Sequence, residues 1–236
     1  MFDVFKSVGR KFFGRRSPRL SCDRTYWLQN LQEEEFEWHR NDHKRRNPEK
    51  WRKRNVRLLD HFGFSPSQFE GKTLIDLGAG SLLRTTYFID AQVIAIDPLA
   101  ERYRLQIPWC DLGDAEEVHS VAGEERVESC SDRADLIVSI NMFDQCYDCA
   151  RVLENIHLYA KEDATIFLSF DKGIKVDAMH PLELDEEICE ALFVQQGFRI
   201  VEFTRGTDGI LARDAYGRGP YCLNYTLQKS KSFEQG

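Results

Sequence analysis

No stretch of the 236-residue sequence stays apolar for the roughly 18 residues that a bilayer-spanning helix needs, so a membrane-spanning protein is not expected. A phosphate-gripping P-loop is absent, because no Gly-Lys-Ser/Thr follows the glycines at 78 and 80. The seven cysteines (22, 110, 130, 146, 149, 189 and 222) are odd in number and lack framework spacing. With no secretory apolar core near residue 1, they read as reduced thiols in a cytoplasmic protein. No internal repeat or low-complexity tract is visible, and the length suits one principal α/β domain with a helical extension.

Positive charge is also missing from most of the chain. Residues 1–60 carry +7, whereas the remainder carries −14, for a total of −7. An acidic body lacks the continuous basic face that gripping a phosphate backbone requires, so nucleic acid is an unlikely partner. The basic excess sits partly in residues 1–20, where Phe2, Phe5, Val8 and Phe12 recur at near-helical spacing among six Lys/Arg and one Asp. Such a tail is suited to peripheral membrane or protein contact, although Gly9 and Gly14 weaken it as a helix.

What is present divides the chain into four segments: residues 1–20 as a basic amphipathic tail, 21–70 as a helical cap, 71–230 as the main domain and 231–236 as a terminal tail. The cap reads as two helices broken near Pro48, with Tyr26, Trp27 and Trp38 as aromatics that pack on the core or close over a ligand. After Gly71, seven short β-rich runs alternate with helical patterns: "KTLIDLG", "AQVIAIDP", "EVHSVAG", "ADLIVSIN", "ATIFLSFD", "FRIVEFT" and "YCLNYTLQK". Their continuous Val/Ile/Leu character predicts a parallel sheet covered on both faces, and the last two runs predict a terminal antiparallel hairpin.

Ligands of such sheets bind beyond the carboxyl ends of the strands, near the point where strand order reverses. The turn "DLGAG" lies there. The dinucleotide fingerprint fails at its third glycine, which falls on Leu83. Asp76 would repel phosphate and favour a cation, and close approach to glycine backbone would suit a nucleoside that carries ammonium and sulfonium groups. S-adenosylmethionine meets that description. Asp97, 17 residues after Gly80, ends the second strand as a planar double acceptor for two ribose hydroxyls. Glu124 follows the third strand, where it or an adjacent amide could read the adenine edge. Asn141 ends the fourth strand on the cofactor side.

With Asp76, Gly78 and Gly80, Asp97, Gly123-Glu124, "ADLIVSINMFDQ", "ATIFLSFD" and "QQGFRIVEF" in order, the sequence resembles the class I S-adenosylmethionine-dependent methyltransferases over roughly residues 70–230. The resemblance implies a Rossmann-like fold with a seven-stranded mixed sheet. It implies cofactor contacts from Asp76, Gly78, Ala79, Gly80, Asp97, Pro98, Glu124 and Asn141. The implied activity is methyl transfer to oxygen or nitrogen of a small-molecule or glycan-like acceptor. Two positions depart from the family pattern: Leu82 replaces a frequent third glycine, and Gln145 stands where many small-molecule members carry histidine.

Methyl transfer from a sulfonium is an in-line displacement, helped at a hydroxyl acceptor by a general base. His180, in "DAMHPLEL", and Asp144 and Asp171, after the fourth and fifth strands, are the candidates for that side. No metal site is expected. Cys146 and Cys149 form a lone C-x-x-C, and His39 and His43 an i, i+4 pair with no third ligand in register. Two other readings remain at this level. A nucleic-acid methyltransferase would carry Asn/Asp-Pro-Pro-aromatic or Pro-Cys after the fourth strand, and "NMFDQC" is neither. A non-catalytic binding module draws its support from Gln145.

Overall fold

The computed structural model describes residues 19–41, 47–172, 180–206 and 222–230. The basic tail over residues 1–18, His43 and the glycine-containing stretch 207–221 lie outside them. The helical elements are α1 (Arg24–Tyr26), a π-helical turn (Trp27–Leu31), α2 (Gln32–Asn41), α3 (Pro48–His61), α4 (Ala100–Gln106), α5 (Cys149–Tyr159) and α6 (Glu186–Gln195). The strands are β1 (Thr73–Leu77), β2 (Gln92–Ile96), β3 (Glu117–His119), β4 (Ala134–Ile140), β5 (Ala160–Asp171), β6 (Phe198–Gly206) and β7 (Cys222–Lys229).

All seven expected strands form one sheet in the order β3-β2-β1-β4-β5-β7-β6. The first five are parallel, whereas β7 runs antiparallel to both β5 and β6. Strand order reverses between β1 and β4, which places a crevice beyond Leu77 and Ile140. The central strands are apolar on both faces because both are covered. Ile75, Leu77 and Ile137 pack with Val152 and Ile156 of α5 and Phe193 of α6. On the other face, Leu74, Leu136 and Val138 pack with Leu58 and Leu59 of α3. Val93 and Ala95 of β2 pack with Tyr103 of α4 and with Phe36 of α2.

Local chemistry fixes the helix ends. Asn47 caps α3 by accepting from Lys50 N at 3.0 Å, and Pro48 occupies its first turn, where a missing N–H costs nothing. Pro48 therefore starts the second cap helix as well as marking the break. Asp148 caps α5 and Asp185 caps α6 in the same way.

The segment before α1 is strapped onto the loop that precedes α5: Cys22 N donates to Tyr147 O at 2.8 Å, and Cys149 N to Leu20 O at 3.3 Å. From there the cap helices run over the end of the sheet. Trp27, Leu31, Glu35 and His39, each four residues apart, line the underlying cleft. Arg102 of α4 holds Glu33 of α2 through two hydrogen bonds of 2.5 and 2.9 Å. None of the described helices is long and apolar enough to cross a membrane.

Candidate active site

The cleft begins where β1 ends. Gly78 has φ +72° and Gly80 φ +64°, backbone that side-chain-bearing residues rarely adopt. A Cβ on Gly78 would also lie 2.5 Å from Cβ and Cγ of Met142, so only glycine fits there. Gly78 N donates to Ile96 O at 2.8 Å and Gly80 N to Asp97 Oδ2 at 2.9 Å, pinning the turn to the end of β2.

Asp97 also accepts from Leu99 N through Oδ1 at 2.8 Å, and each oxygen keeps a second lone pair for a ligand. Burial pushes its pKa up to about 7 against the opposing backbone hydrogen bonds, with Glu35 and Asp76 adding repulsion. Glu124 is buried after β3, where Oε1 accepts from Tyr147 N at 2.5 Å and from Asp148 N at 3.0 Å. Burial raises its pKa to about 7 as well.

Gly78, Ala79, Gly80, Asp97, Pro98, Glu124 and Asn141 all line one cleft. Asn141, with φ +58°, turns the chain out of β4 while its N–H donates to Ser169 O at 2.7 Å. Asp76 departs from the sequence reading and lies outside the lining. Its Oδ2 accepts from Arg84 N at 3.0 Å, Thr85 N at 3.2 Å and Thr85 Oγ1 at 2.9 Å. The carboxylate therefore braces the chain beyond the glycine turn from below. Three donors converging on one oxygen satisfy it in place, so its placement is that of a turn anchor.

Sequence reasoning did not single out Arg84 or Asn155, and it read His39 only as half of an i, i+4 pair with His43. Arg84 is buried, with its guanidinium 4.7 Å over the Trp51 ring and Nη1 3.1 Å from Asn55 Oδ1. It brings one cation into a cleft that also contains Asp97, Glu124 and Glu35. His39, buried in α2, bridges the cap to the turn. Its Nδ1 lies 2.8 Å from Ser81 Oγ and 3.2 Å from Ser81 N, and its Nε2 lies 2.9 Å from Glu35 Oε1. Asn155 of α5 holds Gly123 O at 2.9 Å. These residues sit 20 or more positions from the elements they brace, so no local spacing marks them.

Of the cap aromatics, Trp27 is buried in the lining and donates from Nε1 to Gln145 O at 2.7 Å. Trp38 packs edge-on against His39, and Tyr26 is exposed. Gln145 lines the cleft. Cys146 Sγ donates to Phe143 O and Cys149 Sγ to Leu20 O, at 3.1 and 3.2 Å. Both thiols thus satisfy backbone carbonyls, and burial raises their pKa.

The three acceptor-side candidates, far apart in sequence, meet in space. Asp144, Asp171 and His180 place one ligating atom each within 4.8 Å of one another, beyond the ends of β4 and β5. His180 Nε2 is 3.7 Å from Asp144 Oδ2. Asp144 is buried, and its pKa rises to about 7 through desolvation and the nearby Asp171, with His180 opposing.

No protein-family model matches the chain, and neither does any curated protein sequence. Solved structures do. A SAM-dependent methyltransferase from Aquifex aeolicus superposes with a TM-score of 0.54 at 18% identity, covering 84% of this chain and 97% of that one. The Burkholderia thailandensis 1,6-didemethyltoxoflavin-N1-methyltransferase, solved with its acceptor and S-adenosylhomocysteine, gives 0.53 at 17% identity, covering 96% and 89%. The mitomycin 7-O-methyltransferase MmcR gives 0.54 at 18% identity, covering 83% of this chain and 60% of its own.

The chain has the class I S-adenosylmethionine-dependent methyltransferase fold. At these identities the likeness establishes architecture, and activity has to be argued from the site. In that architecture the crevice beyond β1 and β4 coincides with the cleft of Gly78, Gly80, Asp97 and Glu124, and the trio at the ends of β4 and β5 lies on the same rim.

Proposed function

We propose that the protein is an S-adenosylmethionine-dependent methyltransferase acting on oxygen or nitrogen of a small-molecule or glycan-like acceptor. The observation that carries this reading is Asp97, a buried carboxylate that pins the Gly80 amide and still faces the cleft with acceptor capacity for two ribose hydroxyls. Glu124, one strand further, is assigned to the adenine end. Glu35 supplies negative charge for the ammonium and sulfonium, and Arg84 supplies positive charge for the cofactor carboxylate. Among the described lining residues a pyrophosphate would meet three carboxylates and one guanidinium, an unfavourable balance.

The lone pair of the acceptor attacks the methyl carbon, and the carbon–sulfur bond breaks with its electrons passing to sulfur. The products are the methylated acceptor, S-adenosylhomocysteine and one proton. Asp144, Asp171 and His180 are the groups assigned to the acceptor and its proton, because all three are titratable and their side chains converge there. The small-molecule acceptors named for two of the structural neighbours support a small acceptor here. Residues 1–20 remain assigned to peripheral membrane or protein contact on their sequence alone.

The test is incubation of the full chain with a metabolite extract and trideuteromethyl-labelled cofactor, read by mass spectrometry. One extract component should gain a labelled methyl group as S-adenosylhomocysteine accumulates in equal amount. No labelled product, with cofactor binding absent as well, would refute the reading.

A further inference from the structure

We propose that Asp144, Asp171 and His180 bind one divalent first-row transition-metal cation. Four observations converge on it. The ligating atoms of the three residues lie within 4.8 Å of one another. The 3.7 Å between His180 Nε2 and Asp144 Oδ2 is too long for a hydrogen bond. It is, however, a normal edge between two atoms that share an ion with bonds of about 2.1 Å. Asp144 is only 2% exposed, and its Oδ1 is buried with no hydrogen-bond partner. A carboxylate so placed carries a desolvation cost that a shared cation offsets.

The scaffold is also stiff. Asp171 ends β5 paired with Cys222 of β7, and Asp144 sits in a turn closed by Gln145 N donating to Met142 O at 2.9 Å. Two carboxylates and one imidazole make an O,O,N set. Imidazole favours transition metals over Mg²⁺ and Ca²⁺, and the absence of a thiolate disfavours soft ions, which leaves Mn²⁺, Fe²⁺ or Zn²⁺. Three protein ligands leave positions open for an acceptor oxygen and water. The cation would thus lower the pKa of an acceptor hydroxyl and favour oxygen over nitrogen as the methylated atom. That use rests on the proposed methyl transfer; binding of the ion does not.

The test uses the full chain after chelator treatment. MnCl₂ is titrated by calorimetry and by electron paramagnetic resonance, with S-adenosylhomocysteine titrated in the same preparations. One Mn²⁺ per chain is expected. Asp144→Asn, Asp171→Asn and His180→Gln should each lower affinity at least about 10- to 100-fold, the range produced by loss of even an outer-shell partner. Mg²⁺ and Ca²⁺ should bind more weakly than Mn²⁺. Absence of Mn²⁺ binding in a preparation that binds S-adenosylhomocysteine would overturn the proposal. So would Mn²⁺ binding that survives the substitutions unchanged. If Asp144→Asn fails to fold, the half-buried Asp171 and His180 decide the matter. Mn²⁺ binding through these residues without S-adenosylhomocysteine binding would uphold the cation site and refute the cofactor reading instead.

Discussion

The two halves of the cleft rim are built on different principles. On the β1–β2 side, both Asp97 oxygens accept backbone N–H groups, Asp76 gathers three donors, and the glycine turn is tied to Ile96 O. On the β4–β5 side, three titratable side chains converge within 4.8 Å, His180 Nε2 stands 3.7 Å from Asp144 Oδ2, and Oδ1 of the buried Asp144 has no hydrogen-bond partner. The first half is preorganised around its own backbone and needs only a ligand of the right shape. The second buries the Asp144 carboxylate with one oxygen lacking a hydrogen bond, a cost that a bound group offsets.

The contrast is broken most severely by separating binding from turnover. Asp144→Asn should cut label transfer to the acceptor by about 10²- to 10⁴-fold, the usual worth of acid–base assistance, while leaving the S-adenosylhomocysteine dissociation constant within about twofold. Equal losses in both would merge the two halves. Gly78→Ala should act oppositely, because the left-handed backbone costs about 1–2 kcal/mol and overlap with Met142 about 1–3 kcal/mol more. Calorimetry should show cofactor-product affinity weakened by about 30-fold or more, with the melting temperature lowered.

Asp97→Asn should lower S-adenosylhomocysteine affinity by about 10- to 100-fold, since a hydrogen bond to a charged acceptor is worth about 1.5–3 kcal/mol. A pH series sharpens the same half. Asp97 and Glu124 have folded-state pKa values raised to about 7, so their contribution to stability is fully present below the ordinary carboxylate range. That contribution is lost as pH rises through about 7. The ligand-free protein should therefore melt higher at pH 5 than at pH 8, whereas S-adenosylmethionine affinity should increase over the same interval. Binding near pH 7 should release protons, visible as a buffer-dependent calorimetric enthalpy. Affinity independent of pH would remove both carboxylates from the contact. The smallest effect belongs to His39→Phe, which removes the link from the cap to Ser81 and should cost about 1–2 kcal/mol, read as faster amide exchange in α2.

The sheet was legible in sequence because each strand is a short apolar run set between helical patterns. Its exceptions are instructive. β5 starts at Ala160, before "ATIFLSFD", since the polar Lys161, Glu162 and Asp163 look like a turn although Ala160 pairs with Ala134. β3 is only Glu117–His119, shorter than "EVHSVAG", because only three of its residues find partners on β2. Asp97, Glu124 and the glycines were legible because strand-end position alone brings them to the crevice. Asp76 shared that position, but the direction of its side chain depends on where Arg84 and Thr85 return, which no local pattern records. The same applies to Arg84 and to the contact of His39 with Ser81, whose partners lie in other elements. Asp144, Asp171 and His180 were legible as separate rim residues; their convergence emerges only when β4, β5 and the segment before α6 are folded together.

The most direct measurement is a crystal structure of the protein with S-adenosylhomocysteine. Ribose hydroxyls should lie on the Asp97 carboxylate, adenine beside Glu124 and the homocysteine carboxylate towards Arg84, with Asp76 still holding Arg84 N and Thr85 N. A nucleoside bound elsewhere, or one whose ribose lies beyond hydrogen-bonding reach of Asp97, would contradict this arrangement.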